Sequence, residues 1–257
     1  MKDISVVSYN VNGIRAAMTK GFVDWLNENK FDIVCLQEIK AMPEQFDTTE
    51  FEKLGYHCAW KPAVKKGYSG TAVLSKLKPD AIFLESGMSD YDNEGRFTRM
   101  DIGDTTFISS YFPSGTTGDI RQDFKYKFLN DFYNYITQLK KTRKKILVSG
   151  DYNICHKPID IHDPVSNKDS SGFLPDERKW MDNFFASGWT DAFRKFNSQP
   201  HQYTWWSFRA NARANNKGWR IDYHSATNEL ASQLTHAEIL PNAKHSDHCP
   251  VVVRMSL

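Results

Sequence analysis

The chain has 257 residues, 40% of them hydrophobic and 25% charged. That length and balance exclude a disordered segment or a small disulfide scaffold and leave room for a sizeable core. Thirty-three basic side chains against 31 acidic ones give a net charge of +2, too little for a generic polyanion binder. Any polyanion must therefore meet a local basic surface. No apolar run reaches the ~18–20 residues of a membrane helix, and Met1-Lys2-Asp3-Ile4 runs into strand-like sequence without a signal peptide. Cys35, Cys58, Cys155 and Cys249 show no Cys-x-x-Cys spacing. Reduced thiols in a cytoplasmic protein (on the nucleoid in a prokaryote) and no membrane partner are expected.

In chain order, short β-branched or aromatic runs bounded by Gly, Pro, Asp or Asn predict strands over 4–11, 32–37, 57–60, 71–75, 81–84, 97–102 and 106–111. A second batch covers 145–149, 203–208, 221–225, 237–240 and 250–255. Helical spacing falls at 21–29, 123–139, 176–185 and, more weakly, 191–195. In the second of these, Phe124, Phe128, Leu129, Phe132, Tyr135, Ile136 and Leu139 recur at three- and four-residue steps. About a dozen strands with a few helices between them predict an α/β protein of two sheets packed face to face and covered by helices. With no composition shift along the chain, residues 1–257 read as one domain.

Several strands stop abruptly in carboxylates or amides. Ile4–Tyr9 runs into Asn10-Val11-Asn12-Gly13, Ile33–Gln37 into Glu38, and Ile146–Gly150 into Asp151-Tyr152-Asn153. Residues two apart on a strand share a side, so Asn10 with Asn12, and Asp151 with Asn153, can aim at one spot. Taken singly, Asp-x-Asn after a strand is a turn whose side chains bond their own backbone. Glu38 alone is as well explained by a surface charge, and a lone His248 by a bonded structural histidine. Asp222, inside the apolar run Trp219–Tyr223, is harder to dismiss, because a buried carboxylate needs a cation or a metal. Ser246-Asp247-His248 precedes the last strand.

If Glu38, Asp151, Asp222 and Asp247 converge, like charges ~5 Å apart repel by ~3 kcal/mol per pair at an effective dielectric near 20. A phosphodiester could not enter such a pocket unaided. A hard divalent cation resolves the conflict, and Asp, Glu and Asn oxygens suit Mg²⁺ or Mn²⁺ better than zinc. Asp222 beside His248 would orient the imidazole and favour its charged form. Metal-assisted phosphodiester hydrolysis is the chemistry these residues suit.

The ordered motifs Asn10–Arg15, Leu36-Gln37-Glu38, Gly67-Tyr68-Ser69-Gly70, Tyr111-Phe112-Pro113, Gly150–Asn153, Gly218–Tyr223 and Ser246–Pro250 resemble the exonuclease III family of abasic-site DNA endonucleases, within the endonuclease–exonuclease–phosphatase superfamily. The resemblance spans residues 4–253 and implies a four-layer α/β sandwich. It also implies a Mg²⁺-dependent repair nuclease that cuts double-stranded DNA 5′ to abasic sites, leaves a 3′-hydroxyl and trims blocked 3′ ends, acting as a monomer. Metal contacts are assigned by it to Asn10, Glu38, Asp151, Asn153, Asp247 and His248, with Glu38 the principal ligand. Asp151 activates or positions the attacking water, Asn153 bonds the phosphate, and His248, oriented by Asp222, stabilises developing charge. Tyr111 contacts the same phosphate or assists the leaving group. Whether Asp151 or His248 is the general base stays open.

Trp205, Trp219 and Ile221 match the family's apolar pocket for a base-free sugar, which excludes an intact nucleotide. Arg209 fills the gap in the duplex or contacts phosphate, while Trp206 and Phe208 are expected in the core. Lys66, Tyr68, Lys125 and Arg121 are expected at DNA phosphates, and the basic run 140–145 on a solvated helix end. Two positions depart from the family: Ser114 replaces Asn, and Asn12 stands where some relatives carry Asp. Two other readings compete: the same site acting on RNA, a lipid phosphodiester or an inositol phosphate, and an inactive DNA-damage binding module.

Overall fold

A computed structural model describes residues 3–257; Met1 and Lys2, at the point read as lacking a leader, lie outside the described residues. The chain opens with β1 (Asp3–Asn10), α1 (Ile14–Thr19), α2 (Phe22–Asn29), β2 (Ile33–Gln37), α3 (Thr49–Lys53), β3 (His57–Lys61) and β4 (Thr71–Ser75). It continues through β5 (Ala81–Phe83), α4 (Ser89–Asp92), β6 (Phe97–Ile102), β7 (Thr105–Tyr111), α5 (Asp119–Thr142) and β8 (Lys145–Asp151). The last third holds α6 (Pro175–Ala186), β9 (Trp189–Asp191), α7 (Ala192–Phe196), β10 (Asp222–Thr227), α8 (Asn228–Ala231), β11 (Leu234–Ile239) and β12 (Val251–Ser256). The strands form two six-stranded sheets, ordered β11-β12-β1-β2-β4-β3 and β5-β6-β7-β8-β10-β9. Both are mixed: β1 runs parallel to β2 and β7 to β8, while the other pairings are antiparallel.

Side-chain alternation divides each central strand between two cores. Ile4 and Val6 of β1, Ile33 and Cys35 of β2, and Leu147 of β8 pack between the sheets with Phe107, Val253 and Met255. Their neighbours Val7, Tyr9, Val34 and Leu36 face outward onto Ile14, Ala17, Phe22 and Leu26 of α1 and α2. On the opposite flank, Ile146 and Val148 meet Phe128, Leu129, Phe132 and Ile136 of α5 and Met181 and Phe184 of α6. Three stacked cores make a four-layer α/β sandwich, the architecture expected from the sequence. No helix among the described residues is long and apolar enough to cross a membrane.

Two expectations are corrected. Residues 203–208 are not a strand: Trp205 forms only isolated bridges with Trp219 and His248, so the segment crosses the sheet ends instead of joining a ladder. Phe208 is accordingly 78% exposed, while Trp206 is buried. No pattern in the sequence signals β9, α1, α3, α4 or α8. These elements have three to six residues, where tertiary packing outweighs propensity and period.

Candidate active site

The parallel pairing of β1 with β2 sets Asn10 opposite Gln37, so Glu38 emerges at the end of the first sheet beside Asn10. In the second sheet Asp151 pairs with both Tyr111 and Asp222, which places the ends of β7 and β8 and the start of β10 together. The two sheet ends meet here. Asn10, fully buried, spans the seam: its Nδ2 donates to Glu38 Oε1 at 2.8 Å and to Asp151 Oδ2 at 2.9 Å. Ligand atoms of Glu38, Asp151 and His248 lie within 4.8 Å of one another.

Both accounts of the Asx turns hold at once. The Asn153 amide nitrogen donates to Asp151 Oδ1 at 2.8 Å, and that of Asn12 to Asn10 Oδ1 at 3.0 Å. One side-chain atom of each residue closes a turn and the other faces the seam. The Asn153 side chain donates to the Phe112 carbonyl at 3.0 Å, which aims the amide across the end of β8.

His248 Nδ1 lies 2.9 Å from Asp222 Oδ2, and its Nε2 lies 3.9 Å from Asp151 Oδ2. Burial disfavours the imidazolium, yet Asp222, followed by Asp151 and Asp247, lifts the ring's pKa to about 10. Nδ1 is thus a donor to Asp222, and the Nε2–H points at the cluster. Burial, and then the Asp222 charge, push Asp151 up to about 7. Burial likewise opposes ionisation of Glu38, but Lys40, 2.6 Å from Oε2, and the Asn10 amide hold its carboxyl below the usual value. Asp247 behaves in the same way: burial opposes its charge, while His248, Asn12 and the Trp205 indole hold its pKa down. Burial and the neighbouring Glu38 keep the Tyr111 phenol well above its ordinary value.

Four carboxylates therefore face two cations, Lys40 and His248, and one oxygen, Asp222 Oδ1, is buried without a partner. A hard divalent cation beside Glu38 and Asp151 fits this excess of acid oxygens. Asn10 and Asn153 flank the same point, while Asp247 is turned toward Asn12 Nδ2 and Trp205 Nε1, at 2.9 and 3.0 Å.

A cleft of about 780 Å³ opens from this cluster. Trp205, Trp219 and Ile221 line it together, the two indoles edge to face with ring centroids 6.1 Å apart. Ser114 lines the same cleft. Tyr68 is outside the cleft lining; its hydroxyl accepts from Arg96 and Arg121 at 3.0 and 3.1 Å. Lys66 and Arg209 are exposed. Lys125 is a correction. Expected at DNA, it has no exposed surface and is paired with an equally buried Glu177, so it cannot reach a phosphate.

Two residues near the cluster escaped sequence reading. Lys40 bonds both Glu38 and Asn12, and its only signal was a cation two positions after a strand-end Glu. Arg96 is buried beneath Tyr111, its guanidinium carbon 4.8 Å from the ring centroid, and no local pattern marks it.

Comparison with known proteins gives the chain its family. The sequence profile described as "Endonuclease/Exonuclease/phosphatase family" matches residues 7–248. The chain belongs to that family, hydrolases of phosphate esters. It is 38% identical over 250 residues to the exodeoxyribonuclease of Bacillus subtilis, covering 96% of this chain and 98% of that protein. A DNA-(apurinic or apyrimidinic site) endonuclease of Dictyostelium discoideum is 35% identical, over 99% of this chain and 71% of that protein. Among solved structures, an AP endonuclease from Archaeoglobus fulgidus superposes with a TM-score of 0.89 at 30% identity, covering 99% of this chain and all of that one.

Proposed function

We propose that the protein is a Mg²⁺-dependent DNA repair nuclease that hydrolyses the phosphodiester 5′ to an abasic site, leaves a 3′-hydroxyl, and trims blocked 3′ ends. The carrying observation is the adjacency of the Glu38–Asp151–His248 cluster to the slot lined by Trp205, Trp219 and Ile221. The names of the relatives from Bacillus and Dictyostelium support the same reading. A base-free deoxyribose leaves the helix at low unstacking cost and fits an apolar slot, whereas an intact nucleotide brings a base to accommodate.

Glu38 and Asp151 would hold the cation, with Asn10 fixing their spacing through its Nδ2, which donates to both, and Asn153 beside them. When bound, it supplies Lewis-acid neutralisation of the phosphate and leaving oxygen. Asp151, whose Oδ1 closes the turn at Asn153 and whose Oδ2 lies 3.9 Å from His248 Nε2, would accept the proton of the attacking water. His248, kept protonated by Asp222, donates from Nε2 to a non-bridging phosphate oxygen and opposes the charge that develops there. Tyr111 stays a neutral donor to the same phosphate, and the Asn153 amide orients it.

The test is a duplex with one stable abasic analogue, incubated with Mg²⁺ and then with EDTA. Incision 5′ to the lesion that EDTA abolishes is expected. Cleavage indifferent to EDTA, or no cleavage beside rapid turnover of RNA or a phospholipid, would defeat the proposal.

A further inference from the structure

Lys125 and Glu177 lie behind the cleft as an ion pair 2.5 Å apart with no exposure of either side chain. Such a pair loses hydration on both sides and recovers it only when every remaining donor and acceptor is satisfied. Here the satisfying partners are the cleft walls. Lys125 Nζ also donates to the Asn153 carbonyl at 2.8 Å. Glu177 Oε2 accepts the backbone N–H groups of Gly172 and Leu174 at 2.7 and 3.0 Å, and Oε1 accepts Gln122 Nε2 at 3.1 Å. The Gly172 carbonyl then accepts the Cys155 N–H at 2.7 Å, which closes the loop of bonds back to the segment following Asp151.

Two precise placements depend on this network. Asn153 sits at φ +51, a left-handed conformation that Asn tolerates, so the bonds to its backbone decide where its side chain points. Gly172 packs so tightly on the slot that a Cβ would come within 2.9 Å of the Trp219 ring and 3.1 Å of the Asn153 carbonyl. A pair of apolar side chains would fill the same space at similar stability. They would not hold two loops by their backbones.

We propose that Lys125 and Glu177 are positioning residues: without touching substrate, they fix Asn153 against the phosphate and Gly172 against Trp219, and so set both turnover and the width of the sugar slot. This rests on the nuclease reading above. The test compares the wild type with Lys125→Met/Glu177→Gln, which removes both charges but keeps an acceptor for the Gly172 and Leu174 amides, and with Glu177→Gln alone. Turnover and KM are measured on the abasic duplex, alongside cutting at an intact nucleotide, each rate scaled to the folded fraction given by circular dichroism. In the double variant kcat per folded molecule should fall at least about tenfold with KM nearly unchanged, because a small misplacement of a reacting group is costly. The preference for the abasic site over an intact nucleotide should narrow at the same time, and Glu177→Gln alone should lie between. A purely structural role would lower the folded fraction and leave kcat, KM and preference per folded molecule intact; that result in either variant overturns the proposal. A wild type inactive on the abasic duplex would instead defeat the nuclease reading itself.

Discussion

Replacing Asp222 with Asn removes the charge that keeps the His248 ring protonated and leaves a group of equal size 2.9 Å from Nδ1. Burial works against the imidazolium, and the carboxylates, Asp222 foremost, still raise its pKa from 6.5 to about 10. At 1.36 kcal/mol per unit, that rise represents roughly 5 kcal/mol of preference for the charged ring. With the raised value, His248 stays charged throughout the neutral range and loses its proton only as pH climbs through about 10. Without Asp222, burial is opposed only by the smaller pull of Asp151 and Asp247, and the ring gives up its proton at a lower pH. Single-turnover cleavage of an abasic duplex near pH 8 should therefore drop by roughly 100-fold in Asp222→Asn, the usual worth of one positioned proton donor. The deficit should shrink as the pH is lowered toward about 6, where an unassisted imidazole recharges. DNA affinity, read by fluorescence anisotropy, should change little. A variant whose rate near pH 8 stays within about twofold of wild type, with a parallel pH profile, would refute the role given to the charged ring.

Other expectations are more local. Gly172→Ala, at φ +96 and facing the Trp219 ring at 2.9 Å, should displace that indole. It should slow incision at abasic sites more than removal of a blocked 3′ end, which gel analysis of both substrates would reveal. Asp160 takes Arg220 and Arg194 on a single oxygen, and although burial opposes its charge these cations lower its carboxyl to about 2. Its contribution is present above the unfolded value and lost as pH falls toward about 2. Asp160→Asn, leaving buried Arg220 with Asp191 alone, should cost about 3–5 kcal/mol in urea unfolding. His224, between the Ser149 hydroxyl and the Val251 carbonyl, is depressed by burial to about 4. The unfolded chain therefore binds the extra proton first, and stability should fall by up to about 3 kcal/mol as pH drops from about 6.5 to about 4. His224→Gln should flatten that slope in the same titration.

The two-sheet architecture was legible because the central strands alternate so consistently: Ile4 and Val6 against Val7 and Tyr9, or Leu147 against Ile146 and Val148, each set serving its own core. The polar strand ends were equally visible, since a carboxylate that closes an apolar run is conspicuous in sequence. What stayed hidden was depth. Lys125 reads as a surface lysine because nothing local announces Glu177, which lies 52 positions away and reaches it only through the packing of α5 on α6. Arg96 is hidden differently: its ion pair with Glu94, two residues before it, reads as an ordinary surface pair, while Tyr111 and Tyr68, which bury it, come from other segments. Phe208 erred in the opposite direction. Beside the buried Trp206 it reads as core, but the segment is held by single bridges at Trp205 rather than by a ladder, so no strand period carries its side chain inward.

The backbone at the site adds a constraint that residue type alone does not express. Asn12, Glu38, Lys40 and Asn153 all have φ between 45° and 51°, the left-handed region, which Asn tolerates but which costs Glu38 and Lys40 about 1–3 kcal/mol each. The enforcing bonds are visible: Asn10 Oδ1 and Asp151 Oδ1 accept from the Asn12 and Asn153 amides, while the Lys40 N–H donates to the Ser69 carbonyl. Each reversal turns the chain sharply at a strand end, so that side chains beyond the sheet point back into the seam instead of out to solvent. A relaxed turn would satisfy the same backbone groups and scatter the carboxylates. Their convergence is therefore stored in strained loops clamped by side chains of the site itself, and the geometry of the cluster and the conformation of its loops stand or fall together.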